Sequence, residues 1–285
     1  MHCIQGPSKS KVQSMSERSM TDFGRITALF WLLLLVASGP AAAEPTPAAI
    51  SAFNSYILTL EARLARQHES QSGFLASAAL GQQGETRLRQ GELIVEKLTP
   101  STSADLPGAM LHHWRGTAFV PGASAADFER LMKDFNSYPQ YFSPQVMQAK
   151  VLMQAGDRFH ASMRVRQRHV ITVVMDTAYD ITFGRLDSRH GYSISRSTRI
   201  AEIDAAGTKA ERTLNSEEEH GFLWRLNTYW TYEEWDGGLT MQIESVSLTR
   251  SIPRGLGWAV GPFVESVPRE SLEFTLRSVC NALRR

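Results

Sequence analysis

The feature that most constrains this sequence is an alternation of apolar and polar residues over residues 146–250. Side chains of a β-strand point alternately to its two faces, so a period of two predicts strands. Turn residues divide the run into six predicted strands: 146–154, 157–167, 170–183, 190–203, 220–235 and 239–250. Connections this short join antiparallel neighbours, so the pattern predicts an antiparallel meander.

Helical periodicity lies on both sides of this run. Residues 46–68 place apolar side chains at three- and four-residue steps and predict a helix. A strand is predicted over 110–120, and Ser124 with Asp127 then matches the capping box of a second helix. After residue 253 the helical period returns to the end of the chain. Between these elements, we interpret residues 70–85 as a small-residue linker and residues 88–98 as a short strand.

The first 43 residues have the layout of a secretory signal peptide. An apolar run over 26–38 follows Arg18 and Arg25, and alanines at 41–43 supply a small-residue cleavage site. The run is short for a membrane span, and no stable span is predicted after cleavage. The sequence therefore predicts a periplasmic or secreted protein cleaved after Ala43. The alternative is an uncleaved N-terminal anchor.

Charge and cysteine content narrow the class of protein. The first 43 residues carry four basic and two acidic side chains, so residues 44–285 have a net charge of −1 instead of the +1 of the whole chain. A near-neutral chain has no electrostatic footprint for nucleic acid, and none is predicted as a partner. Cys280 is the one cysteine after residue 43, so a hydrophobic core must hold the fold. We interpret Cys280 as a small core residue.

Motifs that carry chemistry are missing from the sequence. No HExxH zinc motif, G-x-S-x-G elbow, P-loop or dinucleotide fingerprint occurs. His112 and His113 are neighbours on a predicted strand and therefore point to opposite faces. No catalytic residue, metal or cofactor is predicted.

The order of strand, two helices, six strands and long C-terminal helix resembles the START-like helix-grip superfamily. The matching segments are FERLMKDFNSYPQYFSPQVMQAKVL at 128–152 and SLTRSIPRGL at 247–256, which are similar to the polyketide-cyclase and coenzyme-Q-binding branch. The resemblance implies an α+β fold, with a curved seven-stranded antiparallel sheet wrapped around the C-terminal helix, over 107–285. Residues 44–106 fall outside it and form an N-terminal helical extension and linker. Members of the superfamily bind hydrophobic ligands between sheet and helix; some are enzymes and many are carriers.

The last hairpin supplies the candidate site residues. A two-residue turn at Asp236-Gly237 would pair Trp230 with Ile243, Tyr232 with Met241, Tyr229 with Glu244 and Asn227 with Val246. Four aromatic side chains are predicted to line a pocket, with the first three on the inward face: Trp224, Trp230, Tyr232 and Phe263. They could equally be ordinary core. Four polar side chains are candidate anchors for a ligand carboxylate, phosphate or quinone oxygen: Arg199, Arg225, Tyr229 and Glu244. The alternative is a charged ladder on the outer face of the sheet.

The sequence thus predicts an exported, non-enzymatic binding protein for a hydrophobic small molecule, such as a lipid, an isoprenoid quinone or a polyketide-like compound. One alternative is a cyclase, dehydratase or hydrolase that uses a buried polar pair in the same cavity. Another is a structural or interaction protein with a closed core. The apolar stripe of the 47–67 helix is predicted to pack on its own domain, with a protein partner as the alternative.

Overall fold

A computed structural model describes residues 44–69, 73–76, 80–99, 106–168, 171–252 and 257–284, with the backbone alone described for 257–265. The predicted signal peptide, residues 1–43, lies outside the described residues and stays a prediction. The described part of the chain falls in one compact unit, Ala42–Arg285.

The described part of the chain forms one antiparallel sheet of nine strands. In chain order they are β1 (Ile94–Lys97), β2 (Ala109–Pro121), β3 (Val146–Ala155), β4 (Arg158–Arg168), β5 (Thr172–Arg185), β6 (His190–Asp204), β7 (Arg212–Thr213), β8 (Arg225–Trp235) and β9 (Gly238–Arg250). Their order across the sheet is β1-β2-β9-β8-β6-β5-β4-β3, and β7 pairs with β6. The seven long strands confirm the predicted sheet, whereas the two-residue β7 was not anticipated.

Helices flank the sheet in the predicted order. They are α1 (Pro47–His68), α2 (Gly81–Arg89), α3 (Ala125–Lys133), α4 (Tyr138–Tyr141) and α5 (Gly257–Leu283), with a 3-10 turn at Phe135–Ser137. Ser124 and Asp127 form the predicted capping box at the start of α3.

Two predictions about the segment before β2 are wrong in part. Residues 81–85, assigned to the linker, begin α2, and the predicted strand over 88–98 shrinks to β1 because Leu88 ends up in that helix. Phe74 and Leu75 are buried, although they lie within the predicted linker. Their burial was not predicted, because they stand among small residues and the stretch is too short to show a helical or strand period.

The β8–β9 hairpin has the predicted register. Asp236 and Gly237 have φ angles of 51° and 79°, the left-handed pair that a two-residue hairpin turn needs to match strand twist. The turn fixes every pair that follows, including Trp230 opposite Ile243 and Tyr229 opposite Glu244. This prediction is confirmed.

Helix α5 covers one face of the sheet, which we call the inner face. Leu272, Leu276 and Val279 of α5 are buried with Trp230 and Ile243 in one core cluster. Cys280 is 4% exposed in the same cluster, which confirms it as a core residue. Helix α5 comes close to Gly116 of β2, where an added Cβ would lie 2.4 Å from Leu276 Cδ1.

Helix α1 covers the opposite face, which we call the outer face. Its buried stripe packs with side chains of β2, β8 and β9, and the cluster contains Ala49, Phe53, Ile57, Leu60, Leu64, Ala109, Leu111, Trp224, Tyr229, Val246 and Leu248. The central strands are therefore buried on both faces, which explains why both faces of β8 carry aromatic residues. The prediction that this helix packs on its own domain is confirmed. A protein partner for it stays a prediction.

Candidate ligand-binding site

One half of the inner face is packed solid. Trp230 and Tyr232 of β8 are 3% and 1% exposed, and Met241 and Ile243 face them from β9. The Phe128 ring of α3 lies 5.3 Å from the Trp230 ring and 4.6 Å from the Tyr232 ring, centroid to centroid. Both residues thus occupy the inward positions predicted for them, and at this end they act as core.

The next row of the inner face differs in chemistry and in packing. Two residues further along each strand, Trp114, Ser245, Thr228 and Ser195 lie side by side across β2, β9, β8 and β6. We call these four residues the hydroxyl row. All four remain partly exposed, although they lie on central strands next to a fully buried row. Burial is therefore complete at the row of Trp230 and Ile243 and incomplete at the hydroxyl row.

Trp114 holds an unpaired polar atom. Its indole Nε1 is buried and has no hydrogen-bond partner among the residues that the structure describes. An indole nitrogen can only donate, and a buried donor left unpaired costs about 1–3 kcal/mol. On the row beyond, His112 is buried and its Nε2 lies 3.2 Å from Thr249 Oγ1.

The two faces of the central strands differ in charge, and most of the charged side chains lie on the outer face. The inner positions of β2 (110–120), β9 (239–249), β8 (226–232) and β6 (191–197) hold no Asp, Glu, Lys or Arg. Burying an unpaired charge there would be expensive, so an uncharged surface with a few hydroxyl groups suits an uncharged ligand.

The charged groups of the same strands form a network under α1. Glu244 is 2% exposed, and its Oε2 accepts hydrogen bonds from Arg63 and, at 2.9 Å, from His113 Nε2. The Tyr56 hydroxyl donates to His113 Nδ1 at 2.7 Å. Arg115 Nη1 lies 3.8 Å from Glu244 Oε1. Burial alone would raise the pKa of Glu244, but His113 and Arg63 hold it below its ordinary value.

A second polar contact involves Glu61, two residues before Arg63 on α1. The Tyr229 hydroxyl donates to Glu61 Oε1 at 2.9 Å, and Arg196 Nε donates to the same oxygen at 2.7 Å. Burial raises the pKa of Tyr229, with a further contribution from Glu61. Tyr229 and Glu244 therefore attach α1 to the outer face.

The other two predicted anchors do not join these groups. Arg225 donates from Nη1 to the carbonyl oxygen of Trp224 at 2.8 Å. Arg199 is exposed on β6. The structure thus brings two of the four polar candidates into contact with α1 and leaves the other two apart. The side chain of Phe263 lies outside the described residues, so its role stays a prediction.

Trp224 does not face inward, which corrects one prediction. It is buried in the outer cluster with Leu111 and Leu248. Regular pairing of β8 begins at Arg225, after Gly221 with a φ of 76°, so strand alternation does not extend back to position 224. An added Cβ at Gly221 would lie 3.0 Å from the Trp224 ring, which shows how closely the chain turns around the indole.

Sequence reasoning missed the hydroxyl row. The predicted hairpin register already placed Thr228 opposite Ser245, two residues from the Trp230–Ile243 pair. That register could have identified the row. However, serine and threonine are common on strands, and the partial exposure that distinguishes these residues is known only from the structure.

The described helices include none that is both long and apolar enough to cross a membrane. Within the same segments, no three His, Cys, Asp or Glu side chains are grouped as a metal site requires.

The backbone is similar to those of several solved structures, whereas the sequence matches no protein family. No protein-family model matches the sequence, and no curated protein matches it either. A protein from Thermus thermophilus has 14% identity and a TM-score of 0.43, with 59% of this chain and 94% of that chain covered. A STAR-related lipid transfer protein from Xanthomonas axonopodis has 16% identity and a TM-score of 0.41, with coverage of 67% and 99%. The Zhui aromatase/cyclase from a Streptomyces species has 14% identity and a TM-score of 0.41, with coverage of 61% and 94%.

Similarities at this level of identity do not bear on ligand or activity. The fold is established instead by the chain's own elements, since a long C-terminal helix lies against one face of an antiparallel sheet of known order and register. These elements give the chain a helix-grip α+β fold, which confirms the predicted fold class.

Proposed function

We propose that this protein binds an uncharged hydrophobic small molecule between the inner face of the sheet and α5. The observation that carries the proposal is the partial exposure of the hydroxyl row. Residues at the centre of a sheet, on a face covered by a helix, are buried when helix and sheet pack closely. Trp114, Ser245, Thr228 and Ser195 are not, although Ile243 and Trp230 next to them are.

The position of Glu244 favours a carrier or sensor over an enzyme that uses the predicted polar pair. Acid–base catalysis needs a titratable group within reach of the ligand. Glu244, the buried acid of the predicted polar pair, points to the outer face and binds Arg63 and His113. It therefore supports the docking of α1 instead of chemistry on the inner face.

Export is part of the proposal, and the sequence of residues 1–43 supports it. N-terminal sequencing of the protein recovered from the envelope or medium of an expressing bacterium would test this. A chain that starts at Glu44 is expected, whereas a chain that keeps residues 26–38 would contradict cleavage.

The central test is native mass spectrometry of the protein purified without detergent. We expect a reproducible extra mass that disappears after extraction with organic solvent, and the extract identifies the chemical class of the ligand. A clean mass before and after incubation with lipid and quinone extracts would contradict the proposal and favour the closed-core interaction protein.

A larger apolar side chain in the hydroxyl row should strongly weaken binding of the ligand. Ser245→Leu places a larger apolar side chain at the centre of the row, so we expect ligand occupancy to fall by about tenfold or more. The measurement is the bound fraction in native mass spectrometry, with circular dichroism to confirm folding. Thr198→Leu also replaces a small hydroxyl residue of a strand by leucine, but at an exposed position of β6, and it should leave occupancy unaltered. Equal occupancy in the two variants would place the ligand elsewhere.

A further inference from the structure

The unpaired indole N–H of Trp114 lies within the hydroxyl row. The ring packs against the inner core cluster, and its cross-strand neighbour is Ser245. On β2 itself, the flanking inner positions are His112, which lies within hydrogen-bonding distance of Thr249, and Gly116, which carries no side chain. Within this row, Trp114 Nε1 is therefore the buried polar atom that has no hydrogen-bond partner among the described residues.

We propose that Trp114 Nε1 donates a hydrogen bond to an acceptor oxygen of the bound molecule. This rests on the proposed function and specifies the ligand further. The ligand is an uncharged, largely hydrocarbon molecule that presents a ketone, quinone or ester carbonyl to the hydroxyl row.

The requirement for an acceptor follows from the chemistry of the row. Indole Nε1 donates and cannot accept, so a pure hydrocarbon leaves it unpaired, whereas a ligand oxygen with a free lone pair can accept from it. A carbonyl oxygen has two lone pairs and can accept a second hydrogen bond from the hydroxyl of Ser245 or Thr228. These two residues are direct cross-strand partners, so both hydroxyls lie at the same level of the sheet.

The requirement for neutrality follows from the inner face. A carboxylate or phosphate at this row would meet no Lys or Arg on the inner positions of β2, β6, β8 or β9. An anion buried without a cation is strongly disfavoured, whereas a carbonyl needs only hydrogen-bond donors. Partly buried apolar side chains nearby, Leu226 and Met163, are available for the hydrocarbon part.

Three probes with one carbon skeleton separate these possibilities: fluorene, 9-fluorenone and fluorene-9-carboxylate. Their affinities for the full protein, freed of endogenous ligand by solvent extraction and refolding, are measured by isothermal titration calorimetry. We expect fluorenone to bind about tenfold more tightly than fluorene, the effect of one net buried hydrogen bond, and the carboxylate to bind most weakly.

Trp114→Phe keeps an aromatic ring and removes the N–H. The fluorenone advantage should shrink to less than about twofold in this variant, because only the paired hydrogen bond is lost, and fluorene affinity should stay the same. Trp235→Phe, at a site 59% exposed, is the matched control and should retain the full advantage. Retention of the advantage in Trp114→Phe would overturn the assignment of the donor.

The unmodified protein also gives an answer that does not depend on how any variant folds. Equal affinity for fluorene and fluorenone would overturn the inference and leave the proposed function standing. Preference for the carboxylate would overturn the neutral ligand class. Failure of all three probes to bind, together with no adduct in native mass spectrometry, would be the failure of the proposed function itself.

Discussion

Truncation of Leu276 to alanine should lower the free energy of unfolding by about 3 kcal/mol, within the range known for buried Leu→Ala changes. Leu276 is fully buried, and it packs over Gly116 of β2. The large effect is expected because a rigid sheet cannot collapse into the space that the side chain leaves. Urea unfolding at constant m-value measures it. Leu58→Ala on α1, at a site 69% exposed, is the control and should change stability by less than about 0.5 kcal/mol.

A double-mutant cycle makes this test specific to the contact. Gly116→Ala alone should destabilise the protein by about 1–3 kcal/mol, since its Cβ would lie 2.4 Å from Leu276 Cδ1. In the Leu276→Ala background the same change should cost clearly less, because the clashing methyl group is gone. Additive effects of the two substitutions would contradict the close approach of α5 to β2.

Replacement of Arg63 by methionine should destabilise the protein by about 2–3 kcal/mol at neutral pH. The change leaves Glu244 buried with a weakened set of partners, and breaking a buried ion pair from one side is costly. This loss of stability is small for a broken buried ion pair, because Arg63 is partly exposed and His113 keeps its hydrogen bond to Glu244. Arg66→Met makes the same change on the exposed side of α1 and should have little effect.

Acidification should remove most of this difference. The folded-state pKa of Glu244 lies below its ordinary value of 4.5, so its contribution is complete above that pH and is lost as pH falls through the lowered pKa. The difference in unfolding free energy between wild type and Arg63→Met should therefore narrow as the pH falls below 4.5, as measured by urea unfolding at each pH. A gap that does not change with pH would show that Arg63 acts by packing and not by charge.

The sequence predicted the sheet well because its information is local. Six strands follow from alternation and short turns, and Asp236-Gly237 alone determines the β8–β9 register. The prediction fails where the chain leaves regular geometry: alternation cannot be extended from Arg225 to Trp224 past the turn at Gly221. The burial of Phe74 was not predicted either, because this residue also lies outside a regular helix or strand.

The candidate site was less predictable because it depends on contacts between distant residues. Arg63 and Glu244 are 181 positions apart, and no local pattern relates them. The sequence offered Glu244 as a ligand anchor or as part of an outer charged ladder, and only the position of α1 places it on the outer face. Likewise, Ser245 is unremarkable as one serine of a strand until its partial exposure beside Ile243 is known.

Glu244 and Ser245 are adjacent in the chain, yet they point into opposite environments, one ionic and one neutral. The sheet therefore separates a charged outer face from an inner face whose positions on β2, β6, β8 and β9 hold no Asp, Glu, Lys or Arg. Added salt screens charges that water can reach, such as the Glu61–Arg196 pair between α1 and the outer face, and acts little on the buried Glu244. Raising ionic strength should thus weaken this one contact of the N-terminal helix, whereas binding of the proposed uncharged ligand on the inner face should not depend on salt.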